Sequence, residues 1–487
     1  MGNDVGILSF GAYIPRLRLQ RKAIAAANSW FNPGLRGMAK GERAMANWDE
    51  DTVTMAVEAA RDCLTGFDAG SVAGLYLAST THPFDDRQNA SIAAGALNLR
   101  AGLRSLDAGG SLRAGTSTLA TALTAGGTAD GHVLVVAGEH RRARAASPQE
   151  MQYGDGSAAV LIGSGRPLAH LVGAHSETVD FVPQFRASDR AHDYAWEERW
   201  VRDEGYMKIV PRTISALLKA AGTEAASVTA FCLPTTLSRV VPGIAKRVGI
   251  PDAAVRDNLG AVCGDTGAAH PLVMLAQALE EAKPGDLILV AAFDSGCDAL
   301  LFRVTDALTS LPPRRGVKGS LAQRKEETTY MKYLAFNDLV ALERGMRAES
   351  DKGTPLSLLY RNREMLTGLV GGRCRLCGTV QYPRGRYCVN PKCKALDSQD
   401  GELFAERPAT VMSYTADQLT YCPDPPAYYG MVQFEGGGRM MTDFTDVDEG
   451  AVDVGTSMRM TFRIKDVDAA RGFVRYFWKA APVALPH

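Results

Sequence analysis

The chain has no surplus of either charge: Lys and Arg number 54, and so do Asp and Glu. A protein that works mainly on nucleic acid gains affinity from a basic excess that releases counterions, so nucleic acid is not the expected partner. A balanced surface also lacks a charge reserve against association, which favours a defined homodimer over a free monomer. Long hydrophobic runs are missing as well. No stretch of about 18 apolar residues exists, so no membrane-spanning helix is expected. The first ten residues include Asp4 and no basic stretch ahead of an apolar run, so they do not read as a secretory leader. Cysteine is scarce, and nine in 487 residues cannot build a disulfide scaffold. The clustering of four of them between Cys374 and Cys393 suggests a metal site in a reducing compartment, with the cytoplasm as the expected location. The remaining composition, 46% hydrophobic and 22% charged, is that of an ordinary globular chain long enough for about three domains.

What is present is a repeat. Two stretches match about 155 positions apart. Helical patterns at Asp51–Thr65 and Pro211–Ala221 are followed by Ser71-Val72-Ala73-Gly74 and Ser227-Val228-Thr229-Ala230. Apolar strands come next, Leu75–Ala78 and Phe231–Leu233, and each ends on a threonine pair, Thr80-Thr81 and Thr235-Thr236. Small-residue helices at Ser111–Ala125 and Thr266–Ala282 lead to turns at Gly131 and at Pro284-Gly285. Strands His132–Ala137 and Leu287–Ala292 follow, then Ser157–Ile162 and Ala299–Val304. Continuous apolar runs bounded by Gly and Pro indicate strands buried on both faces, and the alternating helices supply the covering layers.

From about Ser310 the pattern breaks. Pro312-Pro313-Arg314-Arg315 and the lysine-rich residues after it read as an exposed linker, with a helix over Asn337–Glu349. Cys374 and Cys377, then Cys388 and Cys393, form two short knuckles ten residues apart. Four thiolates brought together by a hairpin suit tetrahedral zinc, and a closed set of four ligands implies a structural metal. After Glu402, alternating strands at Tyr428–Phe434, Arg439–Phe444, Ser457–Ile464 and Gly472–Lys479 suggest a small barrel.

Gly6-Ile7-Leu8-Ser9-Phe10-Gly11-Ala12-Tyr13-Ile14-Pro15-Arg16 resembles the opening of hydroxymethylglutaryl-CoA synthases and their bacterial relatives, members of the thiolase superfamily. Tyr153-Gly154-Asp155-Gly156-Ser157-Ala158-Ala159 resembles that superfamily's strand-entry motif. Phe231-Cys232-Leu233-Pro234 and Val262-Cys263-Gly264-Asp265-Thr266 fall where its second-half site motifs lie. The tail from about residue 355 resembles the zinc-ribbon and OB-fold proteins that partner thiolase-like synthases and aldolases. The resemblance implies an α/β, duplicated five-layer thiolase-like fold, followed by a zinc ribbon and a small all-β OB barrel. Residues 1–165 would form the first thiolase-like half and 166–310 the second. Residues 311–370 would be linker and helix, 371–397 the ribbon and 398–487 the OB-fold domain.

The same resemblance implies an acyl-carrying cysteine at Leu112, a glutamate at or beside Thr80, a histidine at Cys232 and an asparagine at Asp265. All four positions differ. Candidates for altered chemistry are Asp265, as acid/base or as a helix cap, and Cys232 and Cys263, as thiolates or as small core residues. His82 follows the first threonine pair, and His270 lies five residues after Asp265. Arg141, Arg142 and Arg144 read either as a solvated face or as a contact for CoA phosphates. The expectation is an enzyme that uses CoA and cleaves or rearranges a carbon–carbon bond in a β-keto or β-hydroxy acyl substrate, by retro-Claisen or retro-aldol chemistry, without an acyl-carrying cysteine. The alternatives are an acyltransferase with a relocated cysteine and a non-catalytic, substrate-delivering subunit.

Overall fold

A computed structural model describes residues 5–125, 131–353 and 355–483, which divide into two compact units. The first comprises most of the chain to Val340. Among the described residues its main sheet has nine strands: β1 (Gly6–Tyr13), β2 (Val72–Ala78), β3 (Arg104–Ala108), β4 (His132–Glu139), β5 (Gly156–Gly163), β6 (Ala169–Thr178), β7 (Ala230–Cys232), β8 (Leu287–Asp294) and β9 (Gly296–Val304). The order is β7-β8-β9-β6-β1-β5-β4-β2-β3. Read outward from the β1/β6 junction, the two halves repeat each other: β1-β5-β4-β2-β3 matches β6-β9-β8-β7. A single bridge between Phe231 and Val255 stands where β3 would have its counterpart. Within each half the innermost pairs are antiparallel and the outer ones parallel. The duplication read from the sequence is therefore a duplication of topology.

Helices fill the layers. α1 (Thr52–Cys63) packs on β1, β4 and β5, and α3 (Ile209–Ala220) packs on β6, β8 and β9. Between the two halves lie α2 (Ala114–Thr124) and α4 (His270–Glu281), in contact with each other. Strand alternation separates the cores. On β8, Ile288 and Val290 join the central cluster, whereas Leu289 and Ala291 join the cluster under α3. Phe231 and Cys232 part in the same way, Phe231 outward and Cys232 inward. This is why the runs are apolar throughout rather than alternating. Gly115 permits the close approach of α2, since a Cβ there would strike the Ala268 carbonyl oxygen.

The expected linker after Ser310 is corrected. Residues 311–340 belong to this unit. Arg314 donates to the Phe10 carbonyl (2.6 Å), the Arg315 amide donates to Asp62 (2.8 Å), and Lys325–Glu327 pairs in parallel with Leu17–Leu19. The helix expected over Asn337–Glu349 is not there. It lies earlier, at Tyr330–Phe336, and Asn337 caps its end, with Asp338 in the left-handed region (φ 54°).

The second unit comprises Ala341–His487 with Trp48–Glu50 and Gly95–Asn98. A three-stranded sheet orders Val380–Gln381, Val370–Cys374 and Gln399–Leu403, so the ribbon extends past residue 397. Five further strands follow: Ala409–Asp417, Ala427–Phe434, Arg439–Asp443, Ser457–Asp468 and Phe473–Pro482. Taken in chain order they pair 3-2-1-4-5, and a bridge between Phe444 and Ala480 joins third to fifth, which closes a barrel. Phe462, Trp478, Phe434 and Met460 fill its interior.

Candidate functional site

A cavity of about 310 Å³ opens in the first unit at the amino-terminal ends of α2 and α4. Leu112, two residues ahead of α2, is in its wall. Beside it stands Asp294, the last residue of β8, where the apolar run Leu-Ile-Leu-Val-Ala-Ala-Phe ends on a carboxylate. Asp294 Oδ2 accepts from the Leu112 amide and from Ser111 Oγ, both at 2.8 Å. Both donors precede Arg113, the cap of α2, at the electropositive end of that helix, so this carboxylate takes donors that could otherwise receive an external oxyanion. Burial pushes the Asp294 carboxyl upward, and the bonds from Ser111 and Leu112 offset only part of that. A buried carboxyl with raised proton affinity, facing a cavity, is suited to taking and returning a proton.

Asp265 stands on another wall, with His270 behind it, Nδ1 3.8 Å from Oδ1. Asp265 lines the cavity and also a smaller one of about 190 Å³, which His270 lines as well. Asp265 Oδ2 lies 3.0 Å from Arg141 Nη2, and Oδ1 accepts from the Gly267 amide at 2.9 Å. Burial would raise the Asp265 carboxyl, but Arg141 and then His270 outweigh it and hold it below the usual range. It is thus a fixed, ionised wall group. Arg141 is itself buried and lies 3.7 Å above the Tyr153 ring. The Tyr153 hydroxyl donates to Asp193 at 3.0 Å, and Asp193 pairs with Arg186 at 2.6 Å. His270 Nδ1 accepts the Thr266 amide at 2.9 Å, while Nε2 faces the Asn258 carbonyl at 2.7 Å and so carries the proton. Burial pulls its pKa down against Asp265, which keeps the ring neutral near pH 7.

The remaining expected residues fall elsewhere. Cys232 is completely buried in the central cluster with its thiol toward the Met274 carbonyl, and burial pushes the thiol up to about 12. Cys263 is also completely buried and also pushed up to about 12, the reverse of the lowering expected from a helix start. Neither lines the cavity. Both sit on chain that the strand pleat and the Leu259–Gly264 turn direct inward. His82 is half-buried, outside the cavity wall, with Nε2 enclosed and unbonded. The arginine cluster divides: Arg141 is buried in the site, whereas Arg142 reaches Asp338 at 3.4 Å.

Sequence reasoning missed Asp294, Tyr153 and Tyr206. A carboxylate closing a buried strand was the available signal for Asp294. Tyr206 ends a π-helical turn, Val201–Tyr206, a geometry that recurs at functional sites. Its hydroxyl lies 3.4 Å from the Pro234 carbonyl and its ring 4.3 Å from Phe293. Glu139, fully buried, accepts from Thr80 Oγ1 (3.1 Å), Thr81 Oγ1 (2.5 Å) and the Ala268 amide (3.0 Å). It ties the strand-end threonines of one half to the turn before α4 in the other.

In the second unit, the ligand atoms of Cys374, Cys377, Cys388 and Cys393 all lie within 4.8 Å of one another. Cys374 and Cys393 sulfurs are 3.9 Å apart, and Cys377 and Cys388 sulfurs 3.5 Å. Tetrahedral zinc–thiolate bonds of about 2.3 Å require sulfur separations of about 3.8 Å, so the four residues fit zinc. Ser398 and Thr379 hydroxyls, each 3.2 Å from a sulfur, are placed to orient Cys374 and Cys377.

Comparisons agree with this architecture. Residues 218–303 match the family described as 3-oxoacyl-(acyl-carrier-protein) synthase III C terminal, and residues 404–463 match the ChsH2 C-terminal OB-fold domain. The hydroxymethylglutaryl-CoA synthase of Methanococcoides burtonii is 26% identical over 346 residues, 68% of this chain and 97% of that protein. That of Caldivirga maquilingensis is 27% identical over 350 residues, 70% of this chain and 99% of that protein. A hydroxymethylglutaryl-CoA synthase solved with CoA superposes with a TM-score of 0.61 at 17% identity, over 72% of this chain and 95% of that one. The 3-oxoacyl-(acyl-carrier-protein) synthase III of Aquifex aeolicus gives 0.53 at 19%, over 61% of this chain and 99% of that one. The first unit thus has a thiolase-like fold and is similar in sequence to hydroxymethylglutaryl-CoA synthases. The chain joins that domain to a carboxy-terminal OB-fold domain.

Proposed function

We propose that the protein is an acyl-CoA-dependent carbon–carbon lyase working without an acyl-enzyme, by retro-aldol cleavage of a β-hydroxyacyl thioester. The supporting observation is Asp294 bonded to the Leu112 amide. A leucine cannot carry an acyl group, and its own amide, just ahead of α2, is engaged by a carboxylate. Retro-aldol cleavage needs a base and a donor for the enolate and no nucleophile. Asp294 takes the proton of the β-hydroxyl. The Cα–Cβ bond breaks, its electrons pass into the thioester as an enolate, and an aldehyde or ketone departs. The proton then returns to Cα. Tyr206, whose hydroxyl makes only a long 3.4 Å bond to the Pro234 carbonyl, would turn its proton to the enolate oxygen, and Asp265, backed by Arg141 and His270, supplies a fixed polar wall. Retro-Claisen cleavage is less favoured, because it also requires an incoming thiol. The choice of a CoA thioester rests on the named relatives, and zinc is taken as a structural metal on the four cysteines, with the chain acting as a homodimer.

Relocated acyl transfer has little support, since Cys232 and Cys263 lie in the core with raised pKa values. The test is full-length protein with β-hydroxyacyl-CoA, with products followed by mass spectrometry. Shortened acyl-CoA and a carbonyl product are expected, with no acylated peptide. Asp294→Asn is expected to lower kcat about 10²- to 10⁴-fold, the usual worth of a general base. Because the base works ionised and its pKa is raised, kcat/KM should climb with pH through a midpoint above the ordinary carboxylate value of about 3.9. Full turnover in Asp294→Asn, or an acyl adduct on any cysteine, overturns the proposal.

A further inference from the structure

We infer that the acyl group is uncharged and apolar, that it is longer than the cavity, and that its tail runs out along an aromatic hairpin formed by Gln184–Phe185 and Tyr194–Ala195. This rests on the lyase reading for the thioester end but stands on separate observations. The first is charge. The ionisable carboxylates in the cavity wall are Glu198, Asp265 and Asp294, and among the described lining residues none is Lys, Arg or His. Arg141 neutralises Asp265 from behind, at 3.0 Å. A free carboxylate on the acyl group, as in hydroxymethylglutaryl-CoA, would therefore meet no cation in the wall of this cavity, and an unpaired charge is costly to enclose. Arg21 and His270 line only the adjoining smaller one, where Arg21 is bonded to the Gly260 carbonyl and His270 is neutral.

The second observation is shape. About 310 Å³ lies at the small end of ligand cavities, so an extended acyl chain must leave the enclosed space. The wall it meets on the way out is apolar. Trp196 lines the cavity yet is 56% exposed, and it continues into Tyr194 (56% exposed) and Phe185 (55%). Ring centroids lie 6.3 Å apart for Trp196–Tyr194 and 5.5 Å for Tyr194–Phe185. The three rings make a continuous stripe that starts inside the cavity and ends outside it. The hairpin is also held in place. Asp193 and Arg186 pair across it, and Asp193 receives the Tyr153 hydroxyl from the cavity floor. A preorganised aromatic stripe gives apolar contact at little ordering cost. The occupant the stripe fits is the tail of the molecule whose head occupies the cavity.

The experiment is calorimetric titration of the full-length protein with free CoA, hexanoyl-CoA, decanoyl-CoA and hydroxymethylglutaryl-CoA, with light scattering alongside. Decanoyl-CoA is expected to bind at least about tenfold tighter than hexanoyl-CoA, well within what four buried methylenes can supply. Hydroxymethylglutaryl-CoA should bind no better than free CoA. Trp196→Ala and Tyr194→Ala should flatten the chain-length dependence while leaving free CoA within about twofold. Equal affinity for the two chain lengths overturns the inference, as does preferred binding of hydroxymethylglutaryl-CoA. So does an unchanged length dependence in both variants, and if light scattering then shows that they dissociate a dimer, the stripe belongs between copies of the chain. Loss of the lyase proposal alone would appear differently, as intact length-dependent binding without cleavage.

Discussion

At the residue scale, Leu112 has meaning only together with Asp294. A leucine in place of a nucleophile would by itself be equally consistent with a decayed site. Two hydrogen bonds from Ser111 and Leu112 to one carboxylate oxygen are a built arrangement rather than a vacancy. A prediction follows from the pair. Leu112→Cys alone should not be acylated by acyl-CoA, because a carboxylate beside the new thiol raises its pKa and the amide that would receive the oxyanion is engaged. Leu112→Cys combined with Asp294→Ala frees the amide and removes the charge, and should acylate about a hundredfold faster by intact-mass measurement. Equal labelling of the single and double variants would show that Asp294 does not govern the site. Cys232 marks where residue-level reasoning from the sequence stops. Its motif position suggested chemistry, but adjacent residues on a strand face opposite layers, and Cys232 faces the central core while Phe231 faces the outer one.

At the scale of elements, most of the first unit was legible because its strands and helices repeat. The threonine pairs, the glycine turns and the small-residue helices all correspond to structural equivalents in the two halves. What was not legible is how element ends converge, because Leu112, Tyr206, Asp265 and Asp294 come from four separate segments of the chain. The motif Tyr153–Ala159 shows such a convergence. Its Asp155 accepts from the Ala46 amide at 2.8 Å and lies 3.3 Å from His140 Nδ1, with Asp155 buried and His140 half-buried. Burial pulls the His140 pKa down, but Asp155 outweighs it, and the net direction is up. A histidine raised on folding stabilises fully below its unfolded value of about 6.5, and that contribution fades as pH rises through the higher folded value. The urea midpoint of the native protein should therefore fall from pH 6 to pH 8.5 by more than that of His140→Gln. Parallel pH dependence in the two proteins would remove His140 from this role.

At the scale of the molecule, the two units hold themselves together by different means. The first buries clusters of dozens of apolar side chains between layers, a core that needs no metal. The second is a barrel with a small aromatic centre and a ribbon whose exposed Leu376, Tyr387, Val389 and Leu396 show how little apolar surface it encloses. The ribbon was readable from cysteine spacing alone because four thiolates at knuckle distance are a local constraint. The barrel's closure through Phe444 and Ala480 was not, being a contact between residues 36 positions apart. Part of this unit's order comes from buried ions: Lys479 pairs with Asp49 at 2.8 Å and Arg463 with Glu50 at 2.5 Å. Removing one member of such a pair costs about 3–5 kcal/mol, because the other charge is left buried and unpaired. Zinc held by the four cysteines would have a comparable or larger effect in the ribbon, since thiolate binding energy is folding energy in small metal domains. Calorimetry of the purified protein should therefore respond selectively. Cys388→Ser, or a strong zinc chelator, is expected to shift a transition assigned to the second unit to lower temperature, and Lys479→Met to shift the same transition. The larger transition of the first unit should stay in place. The assignment is checked by limited proteolysis, with cleavage appearing first between residues 375 and 396 in the chelated protein. If the chelator leaves both the thermogram and the cleavage pattern unchanged, and metal analysis confirms that zinc was removed, the ribbon does not depend on zinc for its fold.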